Sequence, residues 1–320
     1  MGSTHTEDTM SQPKLPTTLQ EAIRYFADSQ RCLDLLSAMR WPHGPACPQC
    51  QSQRHGFVKS RSVWQCKDCR KQFTAKLGTI LEDSPIPLDK WFCALWMITS
   101  VKNGVSSYEI ARNLGVTQKT AWFMMHRIRL ALQKGSIDRK LMGEVEVDET
   151  YIGGKARNMH KDKQLKLQRN EGHFRKAVVI GMLERKGEVR TAVINRASVA
   201  LVSDQIKKHI VPGSTMFTDQ LGSYTAIGRE YAHHVINHAE EYVRGNVHTN
   251  SIENFWSLLK RGLKGTYVSV EPFHLFRYLD EQSFRFNTRK DNDQGRFMSA
   301  LSSIQGKRVE YKDLIGQTTI

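Results

Sequence analysis

Four cysteines fall as two pairs, Cys47-Pro-Gln-Cys50 and Cys66-Lys-Asp-Cys69, with fifteen residues between the pairs. Two residues between cysteines let both thiolates of one turn point at a single ion, and two such turns complete a tetrahedral four-sulfur shell that suits Zn²⁺. The spacing sits at the lower edge of the C-x₂-C-x₁₅₋₂₀-C-x₂-C zinc pattern. A thioredoxin-type redox pair accounts for one of the pairs and leaves the other unexplained. Four protein ligands close the shell, so this zinc is expected to be structural, holding a ribbon over 41–76 that is too small to fold around apolar contacts alone. Trp64 and Phe73 flank the second knuckle and are the candidate filling of its core. His43 and His55 lie nearby as less favoured ligands. Cys32 and Cys93 stand apart in apolar surroundings and read as small buried hydrophobes.

Paired cysteines of this kind point to a reducing compartment and a metal, not to a disulfide framework. The polar start of the chain has no apolar leader segment, and no apolar run approaches the ~20 residues that span a bilayer. A cytoplasmic protein with no membrane partner is therefore expected. The 320 residues allow two or three compact units, and 47 Lys and Arg against 32 Asp and Glu leave a formal charge of +15. That excess suits a polyanionic partner, since cationic side chains release counterions when they neutralise phosphates.

Along the chain, 1–17 is a Thr-, Ser- and Pro-rich tail with little to bury, and is expected to be disordered. Leu19, Ile23, Phe26, Leu33, Leu36 and Met39 predict short amphipathic helices over 18–40, before the ribbon. The segment 77–140 reads as helical, and within it 106–129 has the shape of a helix-turn-helix. Ser106 or Ser107 caps a first helix, Gly115 sits at the tight point of the turn, and Thr117 starts a second helix with Ala121, Trp122, Met125 and Ile128 on its buried side. Gln118, Lys119 and Thr120 then face outward where such motifs reach base edges, and Arg127 and Arg129 are candidates for phosphate contacts. An ordinary helical hairpin fits the same pattern almost as well.

Beyond Gly143 the pattern changes to short alternating or apolar runs (EVEVDETYI, KAVVIGMLE, VRTAVINR, TMFTD, HHVINHA) with helical stretches at about 199–210 and 251–263. This predicts an α/β domain over 141–290, a mixed sheet flanked by helices, followed by a C-terminal extension over 291–320. Eight Lys or Arg against two acids between Gly153 and Lys176 suggest a solvated loop that suits DNA. Strand alternation puts Glu146, Asp148 and Thr150 on one face and Val145, Val147 and Glu149 on the other. Asp219 ends a second strand, and Glu253 lies near the start of the helix SIENFWSLLKRGL, with Lys260 two turns further on the same face. Two strand carboxylates and one helix carboxylate can hold two divalent ions roughly 3.5–4 Å apart, the arrangement for in-line displacement at phosphorus, and hard carboxylate oxygens suit Mg²⁺.

In these motifs the chain resembles the zinc-ribbon-bearing insertion-sequence transposases of the DDE superfamily, the bacterial relatives of the Merlin elements. The likeness runs from about residue 19 to 290 through RWPHGPACPQC, the second knuckle, VEVDETYIGG, FTDQLGSY, HTNSIENFWSLLKRGLKGTY and YLDEQSFRFNTR. It implies a ribonuclease-H-like catalytic domain with Asp148, Asp219 and Glu253 as its metal-binding triad. The interval of 34 from Asp219 to Glu253 is typical of such enzymes. The third acid gives way to Asn or His in some relatives, so Asn250 and Asn254 stand as alternatives to Glu253. Lys260 falls where the family has a lysine that contacts DNA near the cleaved end, and Arg261 is beside it. The resemblance further implies Mg²⁺ or Mn²⁺ at the acids. The implied partners are double-stranded DNA, as inverted-repeat ends and target, and a second or further copy of the chain, acting at the bacterial nucleoid. The implied reaction is cleavage at the element ends and joining of the 3′-hydroxyls to target DNA. The rival reading is a sequence-specific DNA-binding regulator derived from a transposase, which has no need of the three acids.

Overall fold

The computed structural model describes residues 14–133, 139–153, 176–219, 230–236 and 248–315. Most of the N-terminal tail and the basic segment between Gly153 and Lys176 lie outside the described residues. The first helices form where the sequence places their caps. Thr18 and Glu21 make a reciprocal capping box at the start of α1 (Leu19–Phe26), and the Asp28 side chain accepts from the Gln30 and Arg31 amides at the start of α2 (Ser29–Arg40). The ribbon follows as an antiparallel sheet β1 (His55–Val58), β2 (Val63–Cys66), β3 (Gln72–Phe73), paired in that order. Then come α3 (Leu88–Ser100), α4 (Ser107–Leu114) and α5 (Gln118–Leu132).

The segment set apart in the sequence as a C-terminal extension instead closes this N-terminal core. Helix α9 (Asp293–Ser302) lays Phe297 against Phe26, Phe92 and Trp96, with ring centroids 5.2, 5.8 and 5.5 Å away. The Ile80 amide donates to the Ile304 carbonyl at 3.1 Å, which ties the returning chain to the strap between ribbon and α3. Phe297 is an ordinary core aromatic in a helix, so nothing local to 291–320 signals which core it joins.

The second unit is built on a five-stranded mixed sheet. Its strands are β4 (Glu144–Ile152), β5 (Ala177–Glu184), β6 (Val189–Ile194), β7 (Thr215–Asp219) and β8 (Ala232–Ile236), in the order β6-β5-β4-β7-β8. Strands β4, β5 and β6 are antiparallel neighbours, while β7 runs parallel to β4 and β8 parallel to β7. Helix α6 (Val199–His209) covers one face through Val202 and Ile206, which pack with Val145, Val147, Ile180 and Met182. Helices α7 (Asn250–Gly265) and α8 (Leu275–Asn287) cover the other through Phe255, Trp256, Leu259 and Leu279, which pack with Val179 and Leu183. Having both faces covered explains the unbroken apolar run of β5. A mixed sheet between helices in this order is compatible with a ribonuclease-H-like domain.

Helix α5 joins the two units. All but its first turn and two aromatic positions are buried, and it packs on α3, α4, α8 and α9. Its Arg129 meets Glu281 of α8 at 2.6 Å, with the side chains 1% and 0% exposed. Glu281 also accepts from Arg285 and from the Tyr267 hydroxyl. Two guanidiniums hold the Glu281 carboxyl down to about 2 against the opposing effect of its burial. Removing one partner of a buried ion pair leaves uncompensated charge and costs about 3–5 kcal/mol. Glu281→Ala, which strands both Arg129 and Arg285, is expected to lower stability by about that much, seen as an earlier midpoint in urea unfolding. An unchanged midpoint contradicts the joint described here.

Candidate active site and zinc ribbon

The four ribbon cysteines converge. Cys47 and Cys69 place their sulfurs 3.6 Å apart, as do Cys50 and Cys66, and all four lie within 4.8 Å of one another. A tetrahedron with metal–sulfur distances near ~2.3 Å has edges of ~3.8 Å, so the set fits zinc. The residue after each knuckle, Gln51 and Arg70, adopts a left-handed backbone (φ 60° and 61°) that curls the turn back on itself. Trp64 and Phe73 stack beside the cluster at 6.0 Å, with Trp41 edge-on to both, and form the expected small core. Neither His43 nor His55 belongs to the cluster. Cys32 and Cys93 are free thiols that burial pushes up to about 12 and about 11.

In the second unit the acids gather where β4 and β7 run side by side. Strand β7 pairs with β4 only at Glu144–Glu146, and Asp219 ends it just beyond. The chain turns back into β5 and β6 on one side of β4 and crosses to β7 on the other, the kind of switch point at which open α/β sheets bind ligands. Carboxylate oxygens of Asp148, Glu149 and Asp219 lie within 4.8 Å of one another. The Trp256 indole N–H donates to Asp148 Oδ2 at 2.9 Å, and the Glu149 amide donates to Oδ1 at 2.8 Å. Burial foremost, and then the Asp219 charge, push the Asp148 carboxyl up to about 6; Glu253 adds to this, and the two N–H donors oppose it. A half-buried set of repelling carboxylates with hard oxygen donors is chemically suited to divalent cations.

Glu253 lies in the first turn of α7, exposed, with the Thr249 hydroxyl donating to it at 2.9 Å. It is near enough to act on Asp148 but is not within the tight three-acid group. Asn250 and Asn254, the alternative third ligands, line a cleft on another side of the helix. Glu149 joins the acids although strand alternation assigns it to the opposite face. Beyond Glu146 the edge of β4 has no β7 neighbour, which leaves room for the longer side chain to reach round. The adjacent Asp148-Glu149 pair was the available signal.

A second residue missed in the sequence is Glu146. It is fully buried, accepts from the Ser251 and Ile252 amides at 2.9 Å each, and meets Arg185 at 3.0 Å. A strand carboxylate thereby satisfies free N–H groups at the start of the helix that carries Glu253.

Residues 140–287 match the ISXO2-like transposase domain, and residues 27–72 match a transposase zinc-ribbon domain. An uncharacterized transposase-like protein of Haemophilus influenzae is 30% identical over 125 residues, 99% of its own length and 39% of this chain. The chain belongs to the ISXO2-like transposase family. Over 258 residues, 75% of this family member and 85% of the relative, it is 27% identical to an uncharacterized protein in transposable element ISH50 of Halobacterium salinarum. No solved structure matches it. No helix among the described residues is long and apolar enough to cross a membrane.

The residues that the sequence assigned to DNA in this transposase-family chain are dispersed. Ser106 and Glu109 form a capping box, Gly115 takes a left-handed C-cap (φ 59°), and Thr117 caps α5, so the expected hairpin is present. Its second helix is not a freely presented one. Lys119 is exposed, 4.6 Å above the Tyr311 ring, whereas Gln118 bonds Ser107 and Thr120 bonds Thr117. Arg127 and Arg129 do not reach the surface, contrary to expectation. Arg127 donates to the Ile80 and Glu82 carbonyls and Arg129 is paired with Glu281, because α5 is the common core helix of both units. Lys260 and Arg261 are exposed on α7.

Zinc removal tests the ribbon. A strong chelator is expected to release stoichiometric zinc and to shift the emission of Trp41 and Trp64 toward that of solvated indole, since such ribbons fold on their metal. Retention of the native spectrum without zinc contradicts a metal-held ribbon.

Proposed function

We propose that the chain is a metal-dependent DNA transposase that binds the inverted repeats at the ends of an insertion sequence, cuts the DNA there and joins the freed 3′-hydroxyls to target DNA. The observation that carries this reading is the convergence of Asp148, midway along β4, with Asp219 at the end of the parallel strand β7, close enough to α7 for the Glu253 charge to act on Asp148. Asp148, Asp219 and Glu253 are the residues that would hold Mg²⁺ or Mn²⁺, with Glu149 beside them. Two such ions supply an activated oxygen nucleophile and stabilise the leaving oxygen.

The chain's own groups prepare that chemistry. Trp256 and the Glu149 amide fix the two oxygens of Asp148 in one orientation, and Thr249 does the same for Glu253. Lys260, two turns along α7 from Glu253 and exposed like it, is placed to meet a phosphate of the bound strand, with Arg261 next to it. The ribbon and the exposed first turn of α5 at Lys119 are the candidate readers of the ends. Two ends must be processed together, so the working form is a dimer or a larger assembly of this chain.

Asp148→Ala separates the enzyme from a DNA-binding regulator. With labelled element ends and target plasmid in Mg²⁺, the variant is expected to bind ends normally and to lose cleavage and joining by more than the roughly 10–100-fold typical of outer-sphere substitutions. Wild-type protein that binds ends but never cuts them supports the regulator instead. Trp256→Phe keeps most of the packing and removes only the N–H. It is expected to raise the Mg²⁺ concentration needed for half-maximal cleavage by roughly 10–100-fold. An unchanged metal dependence contradicts a positioning role for Trp256.

A further inference from the structure

A cleft of about 810 Å³ lies where the end of α3 meets α7 and α8. It adjoins the acids without being part of their site. Asn250, Asn254 and Leu258 form one row along α7 that lines it, and Asn254 is one residue on from Glu253, hence roughly 100° round the helix. The same helix therefore presents its acid to the carboxylate cluster and its amides to the cleft.

The lining is cationic. Lys102, Arg285, Arg289 and Arg296 contribute to it, and among the described residues no Asp or Glu does. Arg285 and Arg296 are engaged with Glu281 and Asp293. Lys102 and Arg289 are exposed and have no carboxylate partner among the described residues, so their charge is available to a ligand. The Arg289 guanidinium lies 4.3 Å from the Phe286 ring centre, a planar surface on which a base can stack. Asn250, Asn254 and Gln282 supply amides, each with donors and an acceptor together, which fit the mixed edges of nucleobases better than bare phosphate. The volume is that of a small-ligand site, within the usual range of roughly 300–1,000 Å³, and excludes a duplex.

We propose that this cleft binds an unpaired segment of DNA strand, one to a few nucleotides long, next to the position being cut. Lys102 and Arg289 hold its phosphates, and the amides of α7 and α8 contact its bases. The proposal rests on the reading of the acids as a DNA-cutting site and deepens it. It gives the strand displaced at that site a place on the other side of the catalytic helix.

The test uses full-length zinc-loaded protein and a fluorescein-labelled single-stranded DNA octamer, followed by anisotropy over a series of salt concentrations. The double variant Lys102→Glu/Arg289→Glu is expected to weaken octamer binding at least tenfold. It should also lower the log–log salt slope by about 1.4, since each phosphate contact on a single strand contributes about 0.7. Asn254→Leu is expected to weaken binding severalfold with the slope unchanged. Lys208→Glu, an exposed charge on α6 across the sheet, serves as the control and should have no effect. Octamer binding that is insensitive to the cleft variants, or equally weakened by the control, overturns the proposal. So does an equal loss of duplex end binding in the double variant, which assigns those charges to duplex phosphates. A wild type that cuts and joins ends while the cleft variants bind normally removes the cleft alone. A wild type that binds the octamer through the cleft yet never cuts removes the transposase reading alone.

Discussion

Bringing Asp148, Glu149 and Asp219 together in a half-buried corner sets like charges against one another in a poor solvent, and the surrounding fold is arranged around that cost. Burial foremost, and then the Asp219 charge, push the Asp148 carboxyl up to about 6. Such a cluster stays in place only if the backbone elements carrying it are fixed by other means. Strand β4 supplies much of this. It is the central strand, bonded to β5 along its whole length and to β7 at its start. Two residues before Asp148 and on the same face, Glu146 binds the first amides of α7. One strand therefore carries the first acid and also seats the helix that carries the last.

Gly181 completes this arrangement from β5. It is the cross-strand partner of Asp148, and a Cβ placed there would sit 2.5 Å from the Trp256 ring. With no side chain in the way, the indole packs close against the strand and its N–H reaches the Asp148 carboxylate. A packing residue, an open backbone position and a hydrogen bond to the acid thus act as one unit. Trp256 fills the sheet–helix core and orients the Asp148 carboxylate with the same ring.

Much of this was legible in the sequence. The cysteine spacing, the alternation around Asp148, the strand ending at Asp219 and the amphipathic pattern around Glu253 are local signals, and each element forms where they put it. What was not legible depends on contacts between distant segments. Arg127 and Arg129 look like surface arginines on a recognition helix until α8 arrives with Glu281 and the strap between ribbon and α3 arrives with the carbonyls of Ile80 and Glu82. Phe297 looks like part of a loose extension until the first helix and α3 offer it an aromatic pocket. Glu146 reads as one more strand acid, since nothing near it in sequence shows that a helix will end its first turn on its oxygens.

The position of α5 has a consequence for how the two units communicate. Its first turn is the surface of the hairpin, and its last two turns are held to α8 by Arg129, Glu281 and Arg285. Helix α8 in turn packs with α7 against the sheet face that carries Asp148. The ion pair is buried, so a hairpin that swung independently of the sheet would separate Arg129 from Glu281 and leave unpaired charge behind. The outer end of α5 is thereby tied to the helices that pack beside the acids. The connection between the hairpin and the acid-bearing sheet runs through one packed helix.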